Sequence, residues 1–259
     1  MMSQPNTRAG GNPHRFASPA RVMRAARAML PWAAAAAAVL FAAGLYLALF
    51  ASPIDYQQGE TVRIMYVHVP SAWMAMFLYA SLAAASLGSL VWRHPAADLY
   101  AEAASPVGAA FTLLALVTGS LWGQPMWGTW WVWDARLTSV LVLFFLYLGH
   151  MALLGAFDER ARGARAAAVL ALVGAVNLPI IKFSVDWWNT LHQPSTAFTS
   201  TVDPSMRTPL LISGAGFLLL FIALHLKAMQ NEILRRRVKA MRLAEIARGD
   251  EIAAAAGAE

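Results

Sequence analysis

Apolar residues crowd into six runs along the chain, at roughly 30–50, 70–92, 105–121, 138–157, 166–183 and 208–229, and the short stretches between them carry most of the charge. Each run approaches the ~20 residues that a helix needs to cross a hydrocarbon core. Backbone polar groups cannot go unpaired in lipid, so runs of this length predict helices. The pattern therefore predicts an all-α integral membrane protein with six transmembrane helices. It divides the chain into an N-terminal arm, 1–29, a six-helix membrane domain, 30–229, and a C-terminal tail, 230–259. Pro5, Gly10, Gly11, Pro13 and Pro19 predict disorder in the arm until Arg21. Arg, Glu and Ala at helical spacing predict a solvated helix near anionic headgroups in the tail.

Composition agrees. The 259 residues are 59% hydrophobic and 13% charged, with a mean hydropathy of +0.51, too apolar for a soluble domain of this length. Cysteine is absent, which excludes disulfides, thiol exchange and thiolate ligands, and leaves His, Met or carboxylate to hold any metal. The sequence pI of about 10.1 does not point to nucleic acid, because the basic residues are distributed as a membrane protein requires. Alternate segments outside the runs hold sixteen of the Lys and Arg against four in the others. Positive residues stay on the cytoplasmic side during insertion, so both termini are expected inside (N-in/C-in) and the first, third and fifth loops outside. Basic residues ahead of an Ala-rich run ending near Ala51-Ser52-Pro53 mimic a cleaved leader, but the length of the run favours a retained span.

The third loop reads WGQPMWGTWWVWDARLTS and places Trp122, Trp127, Trp130, Trp131 and Trp133 within twelve positions, half of the chain's ten Trp. An interfacial aromatic belt needs one or two such residues at each helix end, and five exceed it. Indoles offer broad apolar faces with one N–H each, suited to a flat ligand at the membrane surface such as a quinone, a sterol or a porphyrin. Gly123 and Gly128 allow tight turns, and Asp134 is placed to cap the span that begins near Leu137.

The run WGTWWVWDARLTS resembles the tryptophan-rich WWD signature of the haem-handling proteins of cytochrome c-type biogenesis. The likeness extends to GETVRIMYVHVPSAW, to VNLPIIKFSVDWWNTLHQPS and to DPSMRTPL, and so to nearly the whole chain apart from the tails. Length and span count match the short, six-span branch of that superfamily, the heme exporter protein C (CcmC) family. The resemblance implies a haem chaperone of the bacterial inner membrane that transports haem without chemical turnover of its own. It implies that this chaperone works with ABC transporter subunits (CcmA- and CcmB-like) and a small membrane subunit (CcmD-like), and delivers haem b to a periplasmic haem carrier (CcmE-like).

Topology sorts the six His. His14 and His94 fall on the cytoplasmic side, and His150 and His225 lie within spans without an obvious partner. His68 and His192 each sit in an outer loop just before a descending span, and each opens the pattern His-x-Pro-Ser, HVPS and HQPS. Proline suits a first helical turn, so both imidazoles are expected at a helix rim, level with the tryptophan loop. Haem iron takes two His readily, and without Cys a bis-His site is the natural choice, with His68 and His192 as axial ligands. Propionates need cations, and Arg63 and Arg136 are the leading candidates, with Lys182 and Arg207 the other outer basic residues. Both arginines could instead snorkel, or meet an acidic carrier. The cofactor-binding set is thus Trp122, Trp127, Trp130, Trp131, Trp133, Asp134, Arg63 and Arg136. Trp187 and Trp188 read as anchors, and Asp186 and Asn189 are possible orienting groups for His192. An electron-transfer cytochrome b, a permease and a cofactor-free assembly subunit are the rival readings.

Overall fold

The computed structural model describes residues 18–193 and 202–256, with side chains as far as residue 249. The expected disorder before residue 18, His14, and Pro194 and Ser195 of the second His-x-Pro-Ser pattern lie outside the described residues. Helices account for nearly all of the described chain: α1 (Pro19–Tyr46), α2 (Met65–Trp92), α3 (Pro95–Trp127), α4 (Ala135–Gly155), α5 (Arg160–Gly174), α6 (Asn177–Trp187) and α7 (Pro204–Ala256). A π-helical turn, Leu47–Ala51, extends α1, and a 3-10 turn, Glu60–Ile64, leads into α2. Among the described residues six stretches are long and apolar enough to span a membrane, as the hydropathy runs predict. The chain is a multi-pass membrane protein.

The helices outrun the apolar windows because their polar ends continue the same hydrogen-bond ladder. α1 begins at Pro19 rather than near residue 30, and α3 runs from Pro95 to Trp127. α7 has 53 residues, a length of about 80 Å at about 1.5 Å per residue, so it projects far beyond a core about 30 Å thick. The fifth run is two helices, broken at Ala175 and Val176, and Asn177 Nδ2 donates to the Ser139 carbonyl of α4 at 2.8 Å just after the break.

Local chemistry sets the ends. Pro95 opens α3, where a missing N–H costs nothing. Gly128, at φ +76°, closes α3 in the left-handed region that glycine adopts without strain. Asp134 accepts from the Leu137 N–H at 2.7 Å and caps α4, as expected.

α2 packs against α3, α5 and α7, α4 packs against α3, α5 and α6, and α1 lies along α7. Two tyrosines enter notches left by glycines. A Cβ on Gly108 would stand 2.2 Å from the Tyr147 ring, and one on Gly174 would stand 2.1 Å from the Tyr79 hydroxyl. The two rings meet edge to face at 5.0 Å, and the Tyr147 hydroxyl donates to the Ala75 carbonyl at 2.8 Å. These contacts pin α2, α3, α4 and α5 together beneath the tryptophan-rich end.

The opposite end is closed by charge. Arg160 of α5 meets Asp98 at 3.1 Å and Glu102 at 2.5 Å, while Arg236 of α7 meets Glu102 at 2.7 Å and Glu232 at 2.9 Å. His150 is not partnerless as expected: its Nδ1 bonds Ser105 Oγ at 2.7 Å. His225 is buried, its ring 4.2 Å from that of Tyr100, and neither ring nitrogen has a hydrogen-bond partner among the described residues.

Candidate functional site

His68 does not sit in a loop. It occupies the first turns of α2, because Pro70 lies inside the helix rather than at its first position. A proline there withholds the N–H that the Tyr66 carbonyl needs. Ser213 Oγ of α7 donates to that carbonyl instead, so the helix survives and His68 is carried into the bundle. Its Nδ1 is 3.0 Å from the Ala115 carbonyl and 3.1 Å from Thr118 Oγ1, both on α3. Gly119 makes room for the ring, since a Cβ there would stand 3.0 Å from His68 Cε1.

His192 follows α6 by a few residues. Its Nδ1 bonds the Gln193 carbonyl at 2.8 Å, and its backbone N–H donates to Thr190 Oγ1 at 3.0 Å. Thr190 Oγ1 in turn donates to the second oxygen of Asp134. Thr190, Gln193 and Asp134 therefore hold this histidine, and among the described contacts neither Asp186 nor Asn189 does so. Burial among apolar neighbours and the nearby Arg136 charge push the His192 imidazole below its ordinary range, against the opposing pull of Gln193 and Asp134.

The two rings come together with centroids 6.3 Å apart and planes 40° apart. In each, Nδ1 is taken by a backbone carbonyl, which fixes the tautomer that leaves Nε2 with its lone pair. Both rings border a cavity lined also by Ala75, Leu143 and Ile181 and by the indoles of Trp122, Trp127 and Trp131. A second space, with Gln58, Trp122 and Gln193 in its walls, borders the same pair.

Trp122 and Trp127 are not in a loop either: both belong to the last turns of α3, and their rings meet edge to face at 5.2 Å. Trp122 Nε1 donates to Gln58 Oε1 at 2.9 Å. The link from Gly128 to Asp134 carries the other three. Trp131 lines the cavity, and its buried Nε1 has no hydrogen-bond partner among the described residues. Trp130 and Trp133 face outward, and Trp133 is 76% exposed.

The arginines separate. Arg136, at the start of α4, lines the cavity; its Nε donates to Ser184 Oγ at 2.7 Å and its Nη2 approaches the Lys182 carbonyl at 3.4 Å. Its other donors make no hydrogen bond among the described residues. Arg63 is turned toward the loop after α1, where it bonds Glu60 and the Ala48 and Ser52 carbonyls. It does not line the cavity, and it already has a carboxylate. Asp134 acts through its cap and through Thr190. Trp187 stacks on Phe183 at 5.3 Å and stands outside the cavity with Trp188.

The family model for heme exporter protein C matches residues 12–244. Over 236 residues the chain is 60% identical to "Heme exporter protein C" of Bradyrhizobium diazoefficiens, covering 90% of this chain and 89% of that protein. Over 221 residues it is 53% identical to the Escherichia coli K12 protein of the same name, covering 85% and 90%. A ccmC-like mitochondrial protein of cytochrome c biosynthesis from Marchantia polymorpha is 49% identical over 183 residues, covering 70% of this chain and 78% of that protein. The chain belongs to the heme exporter protein C family. Membership supports a part in haem handling for cytochrome c biogenesis, and it makes haem the ligand against which the cavity is to be judged.

Sequence reasoning missed the residues that hold the histidines. Ala115, Thr118 and Gly119 lie on α3 at the helical spacing of a face turned to α2, but an ordinary span shows that spacing too. Nothing in the sequence distinguishes them. Gln58 and Thr190 are equally silent, because their partners are more than fifty residues away.

Proposed function

We propose that this member of the heme exporter protein C family is a haem-binding chaperone that holds haem b between His68 and His192 and passes it on without chemical turnover of its own. The observation that carries the reading is the facing histidine pair, each with Nδ1 committed to a carbonyl, beside an indole-walled cavity. Two nitrogens on one metal, each at about 2 Å, with about 1 Å from each nitrogen to its ring centre, put imidazole centroids about 6 Å apart. The 6.3 Å separation accords with that. Trp122, Trp127 and Trp131 supply apolar faces, Trp131 Nε1 supplies an unused donor, and Arg136 supplies the charge for a propionate. Arg63 serves the loop instead.

The charge asymmetry supports an orientation with both termini in the cytoplasm and the site at the periplasmic face of the inner membrane. The family name supports work with the components of a haem exporter; an ABC transporter, a small membrane subunit and a periplasmic carrier that takes over the haem are the partners proposed. The full chain purified in detergent is expected to carry haem with a six-coordinate spectrum. His150→Ala and His225→Ala are expected to leave that spectrum in place, since both residues lie toward the ionic end of the bundle. Preparations without haem that also bind none when it is added would sink the reading. Loss of the spectrum in either control would move the site into the bundle and favour an electron-transfer cytochrome.

Two further expectations test the geometry. Gly119→Ala forces the His68 ring to give by a few tenths of an ångström, and Thr118→Val removes a partner of its Nδ1. Each should weaken haem retention and shift the spectrum while His68 itself remains; titration of both variants with haem, giving wild-type curves, would show that α3 does not position this ligand. Ligation needs the neutral imidazole. Because His192 is held below the ordinary 6.5, protonation should compete with iron only at pH below that value. The loaded protein should keep its spectrum through pH 6.5 and lose it on further acidification, and a midpoint above 6.5 would contradict the assignment.

A further inference from the structure

On the outer surface, α3 and α4 leave an open groove lined by Leu116, Val117, Leu121, Trp130, Trp133 and Leu141. Val117 and Leu121 are 48% and 49% exposed on a helix that spans the membrane, so the groove opens to lipid rather than to water. It lies against the histidine cavity, because Leu116, Ser120 and Trp131 form walls of both. The partition between them is made by Leu116, Ser120 and the Trp131 indole, and of these only Trp131 is on the non-helical link from Gly128 to Asp134. That link is tied at Ser120, whose Oγ donates to the Trp130 carbonyl at 2.6 Å, and at the Asp134 cap. Trp131 Nε1 has no partner among the described residues, so turning the ring costs no hydrogen bond. The second space that the histidines border has Gln58 and Gln193 among its otherwise largely apolar walls.

We propose that the α3–α4 groove is a lateral doorway through which haem enters the histidine cavity from the bilayer, with Trp131 as the leaf that separates groove from cavity. The inference rests on haem being the ligand of that cavity. A planar macrocycle with apolar faces partitions into lipid, and the groove, apolar apart from Ser120, receives it without exposing it to water. The second space, at Gln58 and Gln193, is then left for departure toward a water-soluble acceptor.

The test uses the full chain in phosphatidylcholine–phosphatidylglycerol vesicles. Haem is supplied either dissolved in the lipid or from an excess of albumin in the buffer, which keeps the lipid nearly free of it. Val117→Trp and Leu121→Trp fill the groove from exposed positions without touching the cavity. Each is expected to slow development of the six-coordinate spectrum from lipid-borne haem about tenfold or more, a barrier rise of about 1.4 kcal/mol per factor of ten. Loading from albumin and the final spectrum should match wild type, which also shows that the variants fold. Unchanged rates from lipid, or equal slowing from both sources, would overturn the doorway. A wild-type protein that develops no spectrum from either source would instead remove the haem site on which it rests.

Discussion

His68→Gly and His192→Gly should each lose most of their haem during purification, and free imidazole should restore the six-coordinate spectrum in both. Removing one ring leaves the iron with a single axial nitrogen, while the remaining histidine and the indole walls still contact the macrocycle. Glycine leaves a gap of the side chain's own size, and imidazole fits it. The two variants should differ in detail. His192 is held by its own neighbours, so its loss disturbs little else. His68 joins α2 to α3 through Ala115 and Thr118, and glycine in an early helical turn costs about 1 kcal/mol beside alanine. His68→Ala, with the helix preserved, should show the same spectral change. The double glycine variant should retain almost none. Trp131→Phe should keep the axial spectrum and lower the haem content, and Trp130→Phe should do so less, because only Trp131 lines the histidine cavity. Absorption spectra of the purified variants decide the matter: two single variants with unaltered six-coordinate haem would place the ligands elsewhere.

The spans were legible because a hydrocarbon solvent leaves a chain little choice: apolar runs of the right length must be helices. The cap at Asp134 was legible for a local reason as well. Misreadings arose where a distant partner compensates a local defect. Pro70 looks like the start of a helix, and it would be one if Ser213, 147 residues from Tyr66, did not satisfy the carbonyl that Pro70 abandons. Trp122 and Trp127 look like loop residues beside Gly123 and Pro125, yet α3 runs through them to Gly128, where the left-handed turn falls. Arg63 and Arg136 are indistinguishable by spacing, and only the fold turns one toward Glu60 and the other toward the cavity. His68 and His192 were found together because topology alone places them on one face. What holds them could not be found that way.

Gly108→Val should destabilise the protein more than any substitution in the cavity wall, because Tyr147 has nowhere to go. A Cβ at position 108 would fall 2.2 Å from the ring, and the ring is fully buried, with its hydroxyl bonded to the Ala75 carbonyl. Inserting carbon into a packed interior costs about 1–3 kcal/mol where neighbours can adjust. Here adjustment also breaks the Tyr147 to Ala75 bond and leaves a buried carbonyl oxygen one partner short, so about 3 kcal/mol or more is expected, and a drop in Tm of about 6–12 °C for a chain of this size. Ala75 borders the histidine cavity, so haem content should fall with stability rather than spectrum. Tyr147→Leu costs stability alone, through the lost bond and volume, but it vacates the space that the Gly108→Val side chain requires. The double variant should therefore be less destabilised than the sum of the two, by a coupling of about 1 kcal/mol or more. Thermal unfolding of the four proteins in one detergent measures that cycle. Additive effects, or a Gly108→Val protein that melts with wild type, would mean that the glycine notch does not hold α3 and α4 together.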